Sequence, residues 1–409
     1  MLFALTHRLP WHRFVIVTLL LCLTACTPRI FSLLERNLHD METHGVIAGV
    51  LIRPDDKAPV YLTLMDSDGV CVDTLRFGSD HYALFAPVEH AYCLMAFQDL
   101  NNNGLFDQTE PAVSTCDATP LALSRNQRNL RIDLTLSTDQ QIPPQMAKVC
   151  PVKEATPSKL RLIVGDIADF NRPEFGPEFA HKGMWAPVDF LREAGIGIYF
   201  LEPYDPRKIP VLFINGAVGS PLDWRHFYQR MDTSRYQAWF YFYPSGLPLK
   251  RLTETLAGMT RNLHDRYSFN HMAVVAHSMG GLIGRGVLLD PAIAQQDFVD
   301  VFVSFSAPWE GLDSAKIGIK YAPAAVPSWY DIATDSPYQQ AIFKHKLPGN
   351  ISYYLLFGYK DTAVPIKSLL FDPAQREAKR IFGYDEGHVS ILASPQVIDD
   401  FFSILDEAW

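Results

Sequence analysis

Apolar positions along the chain change their period twice. Near the start, "IFSLLERNLHDMETHG" spaces its Ile, Leu and Met residues as a helix does and stops at Gly45, which predicts a short amphipathic helix within residues 26–45. From Val46 to about Ser137 the pattern shortens to "VIAGVLIR", "PVYLTLMD", "GVCVDTLRF", "HYALFAPV", "AYCLMAFQD" and "NLRIDLTLS". Turn residues separate these runs, and that spacing predicts a small β-sandwich over residues 46–140. "QIPPQMAKVCPVKEATP" then reads as a Pro-bearing linker within 141–158. From residue 159 to Trp409 strand-like and helix-like runs alternate, the signature of an α/β domain.

Candidate chemistry lies in that last region. In "VVAHSMGG", a short apolar run leads into Ser278 and then into "LIGRGVLL", which has helical character. Ala-x-Ser-x-Gly is a variant of the nucleophile elbow, where a serine sits on a strained turn between strand and helix. Upstream, "PVLFINGAVGS" places a Gly-containing loop directly after a buried-type strand. The backbone N–H groups of Ala217 and Met279 are then the candidate oxyanion donors. Downstream, "ISYYLLFGYKDTAVP" sets Asp361 in a loop after a late strand, and "FGYDEGHVSIL" sets His388 in a loop near the C-terminus. Ser…Asp…His is the chain order this arrangement requires. Asp313, Asp331 and Asp335 fall instead in an insertion, about residues 308–350, expected to be a lid; its Trp309, Trp329, Tyr330 and Phe343 fit either the lining of an acyl pocket or a packed excursion. His277 is expected to pack within the elbow, its side chain turned away from the serine.

These segments, together with "GIYFLEPYDPRKIPVLFINGAVGSPLDW" and "DEGHVSIL", resemble bacterial α/β-hydrolase lipoproteins of the esterase/lipase kind. The resemblance covers Gly195 to the C-terminus in discrete motifs, and the preceding strands look like the β-sandwich that often stands before such a domain. It implies an α/β-hydrolase fold: a mostly parallel sheet with helices on both faces and a lid insertion. It also implies hydrolysis of carboxylic esters, membrane-derived lipids among them, with Ser278 as nucleophile, His388 as base and Asp361 as its orienter. No cofactor is needed for that chemistry. Two departures stand out: Asn215 where His-Gly is usual, and Ala276 where the elbow's first glycine is usual. An amidase or peptidase with the same triad, and a catalytically inert envelope-binding lipoprotein, remain as alternatives.

The N-terminus carries an address. Arg8 and Arg13 precede "FVIVTLLLCLTA", an apolar run too short for a lasting span, which ends in "LTAC". This resembles a lipobox, with residues 1–25 removed and Cys26 acylated; a plain secretory signal is the alternative. Thr27 after the cysteine favours the outer membrane. Cys71, Cys93, Cys116 and Cys150 remain, either as two disulfides, with three possible pairings, or as free thiols. The formal net charge of −9 argues against nucleic acid as a partner. Finally, "DLNNNGLFDQTE" satisfies D-x-[DN]-x-[DN]-G-x5-E, so Asp99, Asn101, Asn103, Asp107 and Glu110 are candidate calcium ligands. A strand-like run precedes it rather than a helix, so it is either a calcium loop between strands or a metal-free Asx-rich turn.

Overall fold

The computed structural model describes residues 29–409 except 56, 79, 140–141 and 143–157. Cys26, Cys150 and most of the linker expected at 141–158 lie outside the described residues. Helix α1, residues 29–43, opens the described chain. It is docked on the larger domain: buried Asn37 accepts hydrogen bonds from the backbone N–H groups of Val188 (2.9 Å) and Asp189 (3.1 Å). Those N–H groups belong to the first turn of a later helix and have no partner inside it. Arg192 reaches back to Asp40 at 3.2 Å. Among the described residues no helix is long and apolar enough to cross a membrane.

The sandwich follows. β1 (His44–Ile52), β4 (His81–Pro87), β8 (Asn129–Arg131), β9 (Leu134–Thr135) and β10 (Lys159–Leu160) form one sheet; β2 (Val60–Asp66), β3 (Cys71–Phe77), β5 (His90–Gln98), β6 (Ala112–Ser114) and β7 (Leu121–Leu123) form the other. Ile47, Leu62, Leu64, Leu75, Tyr82, Leu84 and Leu94 fill the space between them. β6 and β7 were not anticipated, because three residues are too few to show an alternation. β10 also departs from expectation: Lys159 and Leu160 pair with β4, at the edge of the sandwich, before the chain enters the larger domain. Cys93 and Cys116 are joined by a disulfide, and Cys71 is also disulfide-bonded.

The second region is an eight-stranded sheet in the order β11 (Leu162–Ile167), β12 (Ile196–Phe200), β14 (Tyr236–Phe242), β13 (Ile209–Ile214), β15 (Met272–His277), β16 (Val299–Phe305), β17 (Ser352–Gly358) and β18 (Arg380–Tyr384). β12 pairs antiparallel with β14, and the six strands from β14 to β18 run parallel to one another. "VLFI", "MAVVA" and "VFVSF" are continuous apolar runs because helices cover both faces of such a sheet. On one face lie α5 (Leu249–Tyr267) and α6 (Met279–Leu289), packed over Leu212, Val274 and Phe302. On the other, α4 (Arg225–Arg230) and α13 (Pro395–Ala408) cover Val211, Phe213, Val275 and Val303. Helix α13 presents Val397, Ile398, Phe401, Ile404 and Leu405 along one stripe, each worth about 1.5–3 kcal/mol when fully buried. This is the α/β-hydrolase fold, preceded by a β-sandwich.

Candidate active site

Four loops leave the carboxyl ends of the parallel strands β13, β15, β17 and β18, the end at which open α/β sheets bind their ligands. The loop after β13 carries Gly216 and Ala217, the turn after β15 carries Ser278, and the loops after β17 and β18 carry Asp361 and His388.

Ser278 stands between β15 and α6 with φ 53° and ψ −128°. A side chain in that left-handed region is strained, and such strain persists only where the surroundings fix it. Here the Ser278 N–H donates to the Phe305 carbonyl at 2.8 Å, and the Ser278 carbonyl accepts from the Gly281 N–H at 2.8 Å. The glycines of the motif are needed because backbone crowds them. A Cβ on Gly280 would lie 2.5 Å from the Asn215 carbonyl oxygen and 2.7 Å from that of Ile214. Buried Ala276 occupies the position of the missing elbow glycine; its methyl packs beside Gly284, where an added Cβ would lie 3.5 Å away.

The three candidate side chains form one row. Ser278 Oγ lies 2.9 Å from His388 Nε2, and His388 Nδ1 lies 2.7 Å from Asp361 Oδ2. A carboxylate only accepts, so Nδ1 carries the ring proton, and neutral Nε2 accepts from the serine hydroxyl. The Asp361 side chain is 1% exposed and that of His388 17%. The other oxygen of Asp361 accepts from the backbone N–H groups of Val364 (2.8 Å) and Ala363 (2.9 Å). Burial pushes its pKa up, but the bond from His388, these two backbone bonds and the imidazole's charge outweigh it, so the carboxyl lies below its ordinary value. Asp313, Asp331 and Asp335 are engaged elsewhere; Asp331, for instance, accepts from the Leu249 N–H at 2.6 Å at the start of α5.

The loop after β13 passes directly over the serine: a Cβ on Gly216 would lie 2.9 Å from Ser278 Cβ. Asn215 donates its amide to the Gly216 carbonyl at 3.2 Å, so this departure from the usual residue still braces the loop. Val218 has φ 57°, unusual for a β-branched residue, and its N–H donates to Ser245 Oγ at 3.1 Å. The Tyr243 hydroxyl donates to the Asn215 carbonyl at 2.6 Å. Sequence reasoning missed Tyr243 and Ser245; "YPSG" reads only as a turn after β14. Met279 N–H belongs to the first turn of α6, where N–H groups lack helical partners, beside the serine.

No protein-family model matches the chain, and no curated protein matches it in sequence. Among solved structures, about half of it is similar to the mature Bacillus licheniformis lipase BlEst2 (16% identity, 51% of this chain and 97% of that one, TM-score 0.40). It is also similar to a structure described with the carboxylesterases of the thaumarchaeon Nitrososphaera gargenis (12% identity, 52% and 96%, TM-score 0.37) and to Aspergillus fumigatus lipase B (16% identity, 49% and 54%, TM-score 0.40).

The insertion forms α8 (Asp313–Tyr321), α9 (Pro327–Ile332) and α10 (Pro337–Ile342). Of the two expectations for its aromatic residues, packing describes three of the four. Trp309 is buried against Phe302, Tyr353 and Phe343. Trp329 packs edge-on to Trp185, and Phe343 covers the guanidinium of Arg285 at 4.2 Å. These three belong to a packed excursion; Tyr330 is the exposed one.

In the sandwich, residues 99–110 join β5 to β6 as one compact loop. Asp99 accepts from the N–H groups of Asn103 (3.0 Å) and Gly104 (2.9 Å). Glu110 accepts from those of Leu100 (2.8 Å) and Asp107 (3.0 Å). Asp107 accepts from the side-chain amides of Asn101 (2.6 Å) and Asn103 (3.1 Å). The five side chains offer hard oxygen donors of the type calcium takes, though their oxygens already close the loop through hydrogen bonds. Among the described residues no group of three or more His, Cys, Asp or Glu is arranged to hold a metal.

Proposed function

We propose that the chain is a serine hydrolase that cleaves carboxylic esters through an acyl-enzyme. One observation carries this reading: the unbroken row from Ser278 Oγ through His388 to Asp361, with spacings of 2.9 and 2.7 Å, at the apex of a strained strand–helix turn. Alone, a serine hydroxyl is a poor nucleophile, and a neighbouring imidazole activates it. His388 Nε2 takes the hydroxyl proton as Oγ attacks the ester carbonyl carbon. The oxyanion that forms is held by the backbone N–H groups of Met279 and Ala217. The intermediate collapses with loss of the alcohol, which receives the proton from His388. Water, deprotonated by the same nitrogen, then releases the acid. Throughout, Asp361 keeps the ring in the Nδ1–H form and stabilises the imidazolium.

Membrane-derived lipid esters are the proposed substrate class. Acylation of Cys26 would hold the enzyme at a bacterial membrane, the outer one by the residue that follows. The loop at 99–110 is proposed to take a structural calcium ion through Asp99, Asn101, Asn103, Asp107 and Glu110, remote from the hydrolytic residues in the chain and without a part in the reaction. The experiment for the chemistry is labelling with a fluorophosphonate probe alongside turnover of short- and long-chain esters. Wild type is expected to label and Ser278→Ala to lose both signals, with turnover down by about 10³-fold or more. A folded Ser278→Ala with wild-type turnover would remove the assignment. An unlabelled wild type inactive on every ester would favour a binding lipoprotein.

A further inference from the structure

His277 is buried between three parts of the site. Its Nε2 lies 2.8 Å from the main-chain carbonyl oxygen of His388, and the two rings stand 4.7 Å apart at 44°. On the ring's other side a Cβ added to Gly216 would lie 3.1 Å from His277 Nδ1, so the loop over the serine packs there. Through the backbone it is the last residue of β15, directly before Ser278. One imidazole therefore touches the loops carrying the nucleophile, the base and a candidate oxyanion donor.

We propose that His277 is a positioning residue that fixes His388 for proton transfer by donating Nε2–H to the His388 carbonyl. This rests on the hydrolase reading above. A carbonyl oxygen only accepts, so the bond requires the Nε2–H tautomer. Full burial lowers the pKa of His277 to about 3, with the neighbouring His388 adding to the shift, so the ring stays neutral wherever ester hydrolysis is measured. His277 thus holds a fixed donor while His388 gains and loses its proton. Without the bond, the His388 loop keeps its anchors at Ile391 and Leu392, both buried, but loses its main-chain link to the elbow, leaving only the side-chain contact with Ser278. A misplacement of about 1 Å at a reacting group costs about 10²-fold.

The test uses the full chain and two substitutions. His277→Phe fills the space without a donor; His277→Gln offers an amide N–H to the same carbonyl. The expected result is a kcat for His277→Phe lowered about 10- to 100-fold with KM within about twofold, and a parallel fall in fluorophosphonate labelling rate. His277→Gln should recover kcat to within about threefold of wild type, a rescue that ring packing alone would not produce. A folded His277→Phe with wild-type kcat overturns the proposal, as does a folded His277→Gln as impaired as the Phe variant. Should His277→Phe not fold, the Gln variant decides alone by the same threefold criterion. Ser278→Ala in the same assay separates the two readings. If it retains turnover, the hydrolase reading fails; if it is inactive while His277→Phe is not, only the positioning role fails.

Discussion

Asp361→Asn is the most discriminating single change. The wild-type carboxylate uses one oxygen for His388 Nδ1–H at 2.7 Å and the other for the N–H groups of Val364 and Ala363. An asparagine keeps those two backbone bonds only by turning its carbonyl toward them. Its NH2 group then faces His388 Nδ1, a donor facing a donor. The ring resolves the clash by moving its proton to Nε2, the atom that must accept from Ser278. Geometry survives and the base does not. A loss of about 10⁴-fold in kcat is expected, equal to about 5.5 kcal/mol of transition-state stabilisation.

Stability should move differently, and its pH dependence gives a second check. The folded pKa of Asp361 lies below its unfolded value, so the carboxylate contributes stability that is fully present above the unfolded pKa. That contribution is lost as pH falls below about 4 and through the lowered folded value. Wild type should therefore lose melting temperature more steeply than Asp361→Asn below about pH 4, while the two curves run parallel at neutral pH. Stopped assays on an activated ester with thermal melts at each pH suffice. A folded Asp361→Asn retaining more than a tenth of wild-type kcat would refute the role given to Asp361.

Gly280→Ala should cost about 1–3 kcal/mol and at least tenfold in activity, because the new methyl meets backbone oxygens of Ile214 and Asn215; Gly258→Ala on α5, where an added methyl meets nothing within 4 Å, should instead stabilise by about 0.5–1 kcal/mol. Melting in millimolar calcium against chelator should separate by an amount that follows mass action, about 2.7 kcal/mol at a concentration 100 times Kd, and coincident curves would identify residues 99–110 as a metal-free turn. Cys26→Ser should release the protein from membrane fractions; retention of a processed Cys26→Ser product would end the lipid-anchor proposal.

What the sequence made legible follows from what it encodes locally. Ser278 and Asp361 sit just past continuous apolar runs, and buried parallel strands leave that mark without any tertiary information, whereas His388 follows the half-exposed edge strand β18 and was legible only from its place in the chain order. The elbow was legible for the same reason, with its glycines marking where backbones approach. Contacts across the sheet were not. His277 was expected to do no more than pack, because its reach to the His388 carbonyl depends on a loop 111 residues later. Tyr243 and Ser245 act on the loop after β13 because β14 lies beside β13, a neighbour relation that reverses chain order. Trp309 fitted either a pocket lining or a packed excursion by composition; its packing on Phe302 of β16 and Tyr353 of β17 is set by the sheet order, which its own segment does not encode.

Strand register explains how such loops meet with so little freedom. Ile214 of β13 pairs with Ala276 of β15, and Gly216 and Ser278 each stand two residues beyond that pair. A slip of one residue would move one loop along the strand axis by about 3.3 Å and turn every side chain of that strand to the opposite face. The same ladder continues through His277 with Phe305, Phe305 with Leu356, and Gly358 with Tyr384. It brings Asp361 and His388 into reach of Ser278 although β16 and β17 intervene between β15 and β18. Beyond the last pair, the Tyr359 and Lys360 N–H groups donate to the carbonyls of Tyr384 (2.7 Å) and Glu386 (2.9 Å), tying the Asp361 loop to the His388 loop. The apolar faces that hold this register are therefore the source of the site's rigidity. The strained backbone at Ser278 and Val218 is tolerable only because those buried strands do not yield.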